Sequence, residues 1–204
     1  MSSMNPQNYI MAPMVITRGP GNSERAMDIY SRMLDDRVIF MFGGVDDNMA
    51  QSIVAQLLFL DSQGQDDIHL YINSGGGVVT SGMAIIDTMN LIKSDVSTNI
   101  VGMAASMASM IANCGTPGKR FMLPNARQMI HQVSGGSQGQ ATDMEIVLKE
   151  TLRLKKRLTE MYVEHNTKGK TYEEMYAAME RDNWFGAQEA IDFGLCDSII
   201  TNRI

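Results

Sequence analysis

An α/β domain with mainly parallel strand pairing is the fold class this sequence predicts, and three observations carry that reading. Short apolar runs stop abruptly at glycine-rich clusters: Val38–Phe42 before Gly43-Gly44, and His69–Ile72 before Asn73-Ser74-Gly75-Gly76-Gly77. Each run suits a buried strand. Segments with helical spacing follow them, so strands and helices alternate along the chain, the order that crossover-linked parallel sheets require.

Taken in order, residues 1–25 read as loosely ordered, rich in Asn, Pro, Ser and Gly, with Arg18–Ser23 as a loop. The apolar patch Ile10–Ile16 within them is suited to docking on the same chain or on a neighbour. After the strand Val38–Phe42, Asp46 or Asp47 can cap a helix whose Met49, Ile53, Leu57 and Leu60 recur at helical spacing. Thr80–Ile92 reads as the next helix. The apolar run Val96–Val101, with a strand over Thr98–Val101, leads into Gly102-Met103-Ala104-Ala105-Ser106-Met107, and Ser106 opens another helix. Met122–Asn125 is a turn between further short strands, and Gly135–Gln140 is a flexible loop.

The longest helix starts near Thr142, with Met144, Val147, Leu148, Thr151, Leu154, Leu158 and Met161 close to a heptad stripe. At roughly 1.5 Å per residue it extends about 36 Å. It either packs on its own core or projects to pair with a partner, and spacing alone does not choose. Ala187–Phe193 is a short helix with Gly194 as its C′ residue, and Leu195–Thr201 reads as a last strand.

Composition narrows the function classes. The chain has 204 residues, 44% hydrophobic and 20% charged, with a net charge of −6. Lys and Arg are scattered, so no nucleic-acid footprint is evident. The longest apolar stretch, Ile100–Ala112, is interrupted by serines and too short to span a bilayer. No secretory signal is visible. Two cysteines, Cys114 and Cys196, make neither a disulfide framework nor a zinc pattern, which fits a reducing, cytoplasmic compartment. The 19 methionines read as core residues in place of Leu, or as flexible linings of adaptable surfaces.

Ser106, His131 and Asp182 supply a hydroxyl, an imidazole and a carboxylate on different elements, the parts of a serine-hydrolase relay. Serine is a weak nucleophile until a base takes its proton, and that base must be held in one tautomer. His131 suits the role because a strand end carries it and a Gly-rich loop follows. The bland readings are helix packing for Ser106 and Ser109, and a surface ion pair with Arg181 for Asp182. Gly75–Gly77 can bring backbone N–H groups close to a ligand, or can be a flexible turn. The N–H of Met107, at a helix start, is a second candidate oxyanion donor. The chain has no P-loop, and Ser106 is not in a Gly-x-Ser-x-Gly elbow.

These residues resemble the proteolytic subunit of the Clp (caseinolytic) protease, the ClpP family, from about Pro13 to Ile199. The stretches that carry the likeness are Ser23–Arg32, Ala55–Leu60, Leu70–Ser74, Gly102–Met107, Gly118–Phe121, Met129–Gln132, Gly139–Asp143 and Glu180–Asp182. The resemblance implies a crotonase-like spiral of β-β-α units with a projecting handle helix at about 142–165. It implies residues 1–25 as a propeptide and axial-pore segment and 26–204 as a single peptidase domain, the propeptide covering residues 1–11. By the same resemblance Ser106 is the nucleophile, His131 the base and Asp182 the orienting carboxylate, with the N–H groups of Gly77 and Met107 as the oxyanion hole. The unfoldase-docking pocket falls on His69, Tyr71, Leu91, Asn99, Val101, Phe121 and Leu123.

It further implies ATP-dependent hydrolysis of unfolded polypeptides, the ATP being used by an AAA+ Clp unfoldase. No cofactor or metal, no nucleic acid and no membrane is implied. The assembly would be two stacked heptameric rings of this chain, or a mixed barrel with a paralogue. The sequence departs from the family pattern at Gly75, where proline is usual, at Ala108, where glycine is usual, and at Val133, where proline is usual. His69 and Asn99 are more polar than the docking pocket usually is. Those departures leave room for a weakly active or mainly structural paralogue, and the shared fold for a crotonase-type acyl-CoA enzyme.

Overall fold

The computed structural model describes residues 12–18 and 24–201. The chain divides into two compact units, Met1–Val38 and Ile39–Ile204. Within the first, β1 (Met14–Arg18) pairs antiparallel with β2 (Glu24–Asp28), Met14 facing Asp28 and Arg18 facing Glu24. Asp28 then caps α1 (Ile29–Asp35), accepting from the Ser31 N–H at 3.0 Å. The described part of the segment expected to be loosely ordered is therefore a hairpin strand. The expected propeptide, residues 1–11, and most of the Arg18–Ser23 loop lie outside the described residues.

The second unit is built on a sheet in the order β3-β4-β5-β6-β9, where β3 is Val38–Phe42, β4 Ile68–Ser74, β5 Val96–Ala105, β6 Arg120–Met122 and β9 Ser198–Ile199. The pairs β4–β5, β5–β6 and β6–β9 are parallel, as the alternation of elements predicts. Three helices connect these strands: α2 (Asp47–Gln63), α3 (Val79–Leu91) and α4 (Met107–Asn113). Asp46, rather than Asp47, caps α2 by accepting from Met49 N–H at 2.8 Å. That helix buries Ala50, Ile53, Leu57 and Leu60 on one face. Every residue of α4 is buried, so this short helix lies wholly in the core.

Strand β5 is long because it serves two neighbours. Thr98–Ile100 pair with β6, and Met103–Ala105 pair with β7 (Arg127–Ile130). Between those halves the β4–β5 register slips, Ile72 facing Ile100 but Ser74 facing Ala104. The Asn73 side chain fills the irregularity, accepting from Met103 N–H at 3.2 Å. A Cβ at Gly102 would sit 2.7 Å from that amide oxygen, which is why glycine occupies the position.

Helix α5 (Ala141–His165) changes character along its length. Residues 141–150 are all exposed, including Ile146, Val147 and Leu148, whereas Leu158, Thr159, Met161 and Tyr162 are buried. The sequence left self-packing and projection open; the C-terminal half packs and the N-terminal half stands in solvent. Helix α6 (Tyr172–Ala178), not anticipated, follows a capping box in which Thr171 and Glu174 satisfy each other's backbone N–H groups. It leads to β8 (Asn183–Gly186), which pairs antiparallel with β7, and α7 (Ala187–Phe193) ends at Gly194. The last strand is shorter than expected, since Leu195 and Cys196 are buried in the turn before it.

A buried arginine ties the ends of several of these elements together. Arg120 donates to both carboxylate oxygens of Asp197, at 2.9 Å from Nε and 2.6 Å from Nη2. Its Nη1 donates to the carbonyls of Asn113, 3.2 Å, and His165, 2.6 Å, at the ends of α4 and α5.

Candidate active site

The parallel strands place the candidate chemistry at their carboxyl ends, where open α/β sheets bind ligands. Ser106 follows the last residue of β5, and its N–H donates to the Met129 carbonyl of β7 at 3.0 Å. Strand β7 ends at Ile130, which faces Asn183, the first residue of β8. Continuing that antiparallel register by one residue sets His131 opposite Asp182. Three adjacent strand ends thus bring the three residues together across long stretches of chain.

The distances fit a proton relay. His131 Nε2 lies 2.6 Å from Ser106 Oγ, and His131 Nδ1 lies 3.3 Å from Asp182 Oδ1. Ser106 sits at the N-cap of α4, where a serine normally accepts from the first turn. Here its side chain makes no capping bond and is directed to the imidazole instead. Its backbone has φ 56° and ψ −126°, a sparsely populated conformation that costs a non-glycine residue about 1–3 kcal/mol.

The glycine loop after β4 packs against that turn. Gly77 bridges Val45 in parallel fashion: Val45 N–H donates to Gly76 C=O at 2.9 Å, and Val78 N–H donates to Val45 C=O at 2.7 Å. In such a bridge the N–H of Gly77 itself points away from Val45. A Cβ at Gly77 would overlap the Val45 carbonyl oxygen. The N–H of Met107 is at the first turn of α4, where no intrahelical acceptor exists. Gly77, Met107, Ser106 and His131 line one cleft, floored by apolar groups including Met110, Leu158 and Tyr162.

Tyr162 is held under the cleft by polar contacts. Its phenol is pushed up by burial, against the pull of its hydrogen bond to Ser109, so it stays neutral. Ser109 Oγ in turn accepts from Gln128 Nε2 at 3.0 Å. Burial pushes both cysteine thiols, Cys114 and Cys196, up to about 12, which leaves them inert as nucleophiles.

The expected docking residues fall mostly on one sheet face. Tyr71, Asn99 and Phe121 are in register on β4, β5 and β6, with His69 two residues before Tyr71. Val101 and Leu123 are part-exposed, and Leu91, the last residue of α3, is 77% exposed. Asn99 is buried, and its amide donates along its own strand to Ser97 Oγ at 3.2 Å.

Sequence reasoning missed the part of Gly76. A Cβ there would lie 2.6 Å from Ala105 O, 2.7 Å from Ser106 Cβ and 2.9 Å from Met107 N. The run of glycines was the available signal, but it did not say which one touches the serine turn. Among the described residues no group of three His, Cys, Asp or Glu is placed to hold a metal, and no helix is long and apolar enough to cross a membrane.

Fold and site together define a mixed α/β protein with a hydroxyl, an imidazole and a carboxylate aligned at the carboxyl ends of a mostly parallel sheet. The family model described as Clp protease matches residues 21–203, and the chain belongs to that family. It is accordingly a peptidase with the family's α/β fold.

Proposed function

We propose that this peptidase is of the serine type and that it cleaves unfolded polypeptides to short peptides through an acyl-enzyme on Ser106. The 2.6 Å contact between Ser106 Oγ and His131 Nε2, continued to Asp182 through Nδ1, carries the reading. As Ser106 Oγ attacks the scissile carbonyl carbon, its proton passes to His131 Nε2. The resulting oxyanion faces the N–H groups of Gly77 and Met107. When the C–N bond breaks, His131 returns the proton to the leaving amine. Water, deprotonated by His131, then attacks the acyl carbon, and as the C–Oγ bond breaks His131 returns that proton to Ser106 Oγ. Asp182 keeps the imidazole in the tautomer that accepts at Nε2 and offsets its charge.

The same reading makes the chain a subunit of a double-ring barrel fed by an AAA+ Clp unfoldase, which spends the ATP. Exposed Ile146, Leu148 and Leu152 on α5 support association through that helix. Two buried, unpaired cysteines support a cytoplasmic setting.

Treating the purified chain with a fluorophosphonate and weighing it under native conditions tests this. Phosphonylation that disappears in Ser106→Ala is expected, on a species of about fourteen subunits, the count that two stacked seven-membered rings give. Labelling that persists in Ser106→Ala sinks the serine assignment, and a labelled monomer sinks the barrel.

A further inference from the structure

The carboxylate of this relay stands on an exposed connection. Asp182 belongs to the short segment between α6 and β8, its side chain is 65% exposed, and it approaches His131 at 3.3 Å. Close charge-assisted bonds run about 2.7–2.9 Å, so the contact leaves slack that the backbone must control.

Gln132, the residue after His131, grips that segment twice. Its N–H donates to the Met179 carbonyl at 2.6 Å, and its side-chain Nε2 donates to the next carbonyl, Glu180, at 2.9 Å. The Glu180 side chain is held by Lys155 of α5, Nζ to Oε2 at 3.4 Å. Lys155 is itself fixed, 2.8 Å from Tyr176 Oη and 4.1 Å from the centre of that ring. Base and carboxylate are thereby joined through two consecutive carbonyls, and a long helix is joined to both.

We infer that Gln132 is a positioning residue that sets Asp182 against His131, with Lys155 bracing the same segment from α5. The inference rests on the serine-peptidase reading above. Gln132 makes no hydrogen bond to Ser106 but also lines the cleft beside His131, so the test separates positioning of Asp182 from a direct effect on the reagent.

The test measures fluorophosphonate labelling rates of the full chain carrying Gln132→Met, which keeps the length of the side chain and removes the amide donor. A misplacement approaching 1 Å costs about a hundredfold, so a loss of about tenfold is expected for the smaller drift here. The loss should fall in the maximal labelling rate and not in the reagent concentration giving half of it. In an Asp182→Ala background the same substitution should change the rate less than about twofold, because coupled residues are not additive.

Equal losses in both backgrounds would mark a merely structural role and overturn the inference, as would an unchanged rate in the otherwise native chain. Should Gln132→Met not fold, Lys155→Met is read in the same two backgrounds with the same criteria. If the native chain labels at Ser106 while these patterns fail, only the positioning inference falls. If Ser106→Ala still labels, the serine reading falls and takes the inference with it.

Discussion

Gly76→Ala is expected to reduce acylation of Ser106 by about a thousandfold or more while the chain still folds. The added methyl would meet backbone rather than yielding side chains: the Ala105 carbonyl oxygen at 2.6 Å and the Met107 nitrogen at 2.9 Å, besides Ser106 Cβ at 2.7 Å. Neither loop can retreat without consequence. The glycine loop is bridged to Val45, and the serine turn carries both the hydroxyl and the Met107 N–H. A shift near 1 Å costs about a hundredfold through misorientation, and loss of one oxyanion donor costs about a hundred- to a thousandfold. Gly76 also has φ +87°, so alanine adds about 1–3 kcal/mol of backbone strain. Gly118→Ala separates the two effects, because Gly118 has φ +84° but nothing within 4 Å of its missing Cβ. It should lower the melting temperature by the backbone strain alone, less than Gly76→Ala does, and leave labelling intact. A Gly76→Ala chain that labels at the native rate would show that the loop does not set the serine turn.

Arg120→Met is expected to destabilise the fold by about 3–5 kcal/mol at neutral pH, the cost of leaving one member of a buried ion pair alone. The variant strands the Asp197 carboxylate and removes a donor from the carbonyls of Asn113 and His165. The effect should also depend on pH. Burial pushes the Asp197 carboxyl up, but the hydrogen bonds and charge of Arg120 outweigh it and hold the group below the usual carboxylate range. A carboxyl lowered in the folded state stabilises it above its unfolded value, about pH 4, and that contribution is lost as pH falls through the folded value. In Arg120→Met burial is opposed only by the backbone N–H groups of residues 118 and 120, which the substitution leaves in place, so protonation penalises the fold far less. Denaturation curves should therefore show native and variant chains converging below about pH 4. A gap that stays constant from neutral pH into acid would contradict the role given to the pair.

What the sequence disclosed follows from where the physics is local. Strand β3, helices α2, α3 and α4, and helix α7 were legible because apolar runs and helical spacing are closed off by Gly, Asp or Ser. The β1–β2 hairpin was not, because its sequence lacks the apolar–polar alternation that marks a half-buried strand, and Thr17, Glu24 and Arg25 are polar and at least partly exposed. Helix α6 did have a signal, Thr171 followed three residues later by Glu174, but seven residues are too few for periodicity to reinforce it.

The site divides the same way. Ser106 after an apolar run and His131 at a strand end were visible as candidates. Their 2.6 Å separation depends on β5 lying beside β7, and the approach of Asp182 depends on β8 pairing with β7. Lys119 and Arg120 are adjacent basic residues, and nothing in the sequence distinguishes their roles. Only the tertiary structure shows that Lys119 reaches outward to Asp67 and Asp95 while Arg120 turns inward to Asp197.

In the mechanism proposed above, the strained dihedral of Ser106 sets folding and chemistry against each other at a single residue. Ser106→Gly would relax φ 56° and ψ −126° and should raise the thermal midpoint, by the equivalent of about 1–3 kcal/mol, while deleting the hydroxyl. A laboratory selection for heat resistance alone is therefore expected to discard the enzyme at this position first. Judged by stability only, the proposed nucleophile would score as a defect.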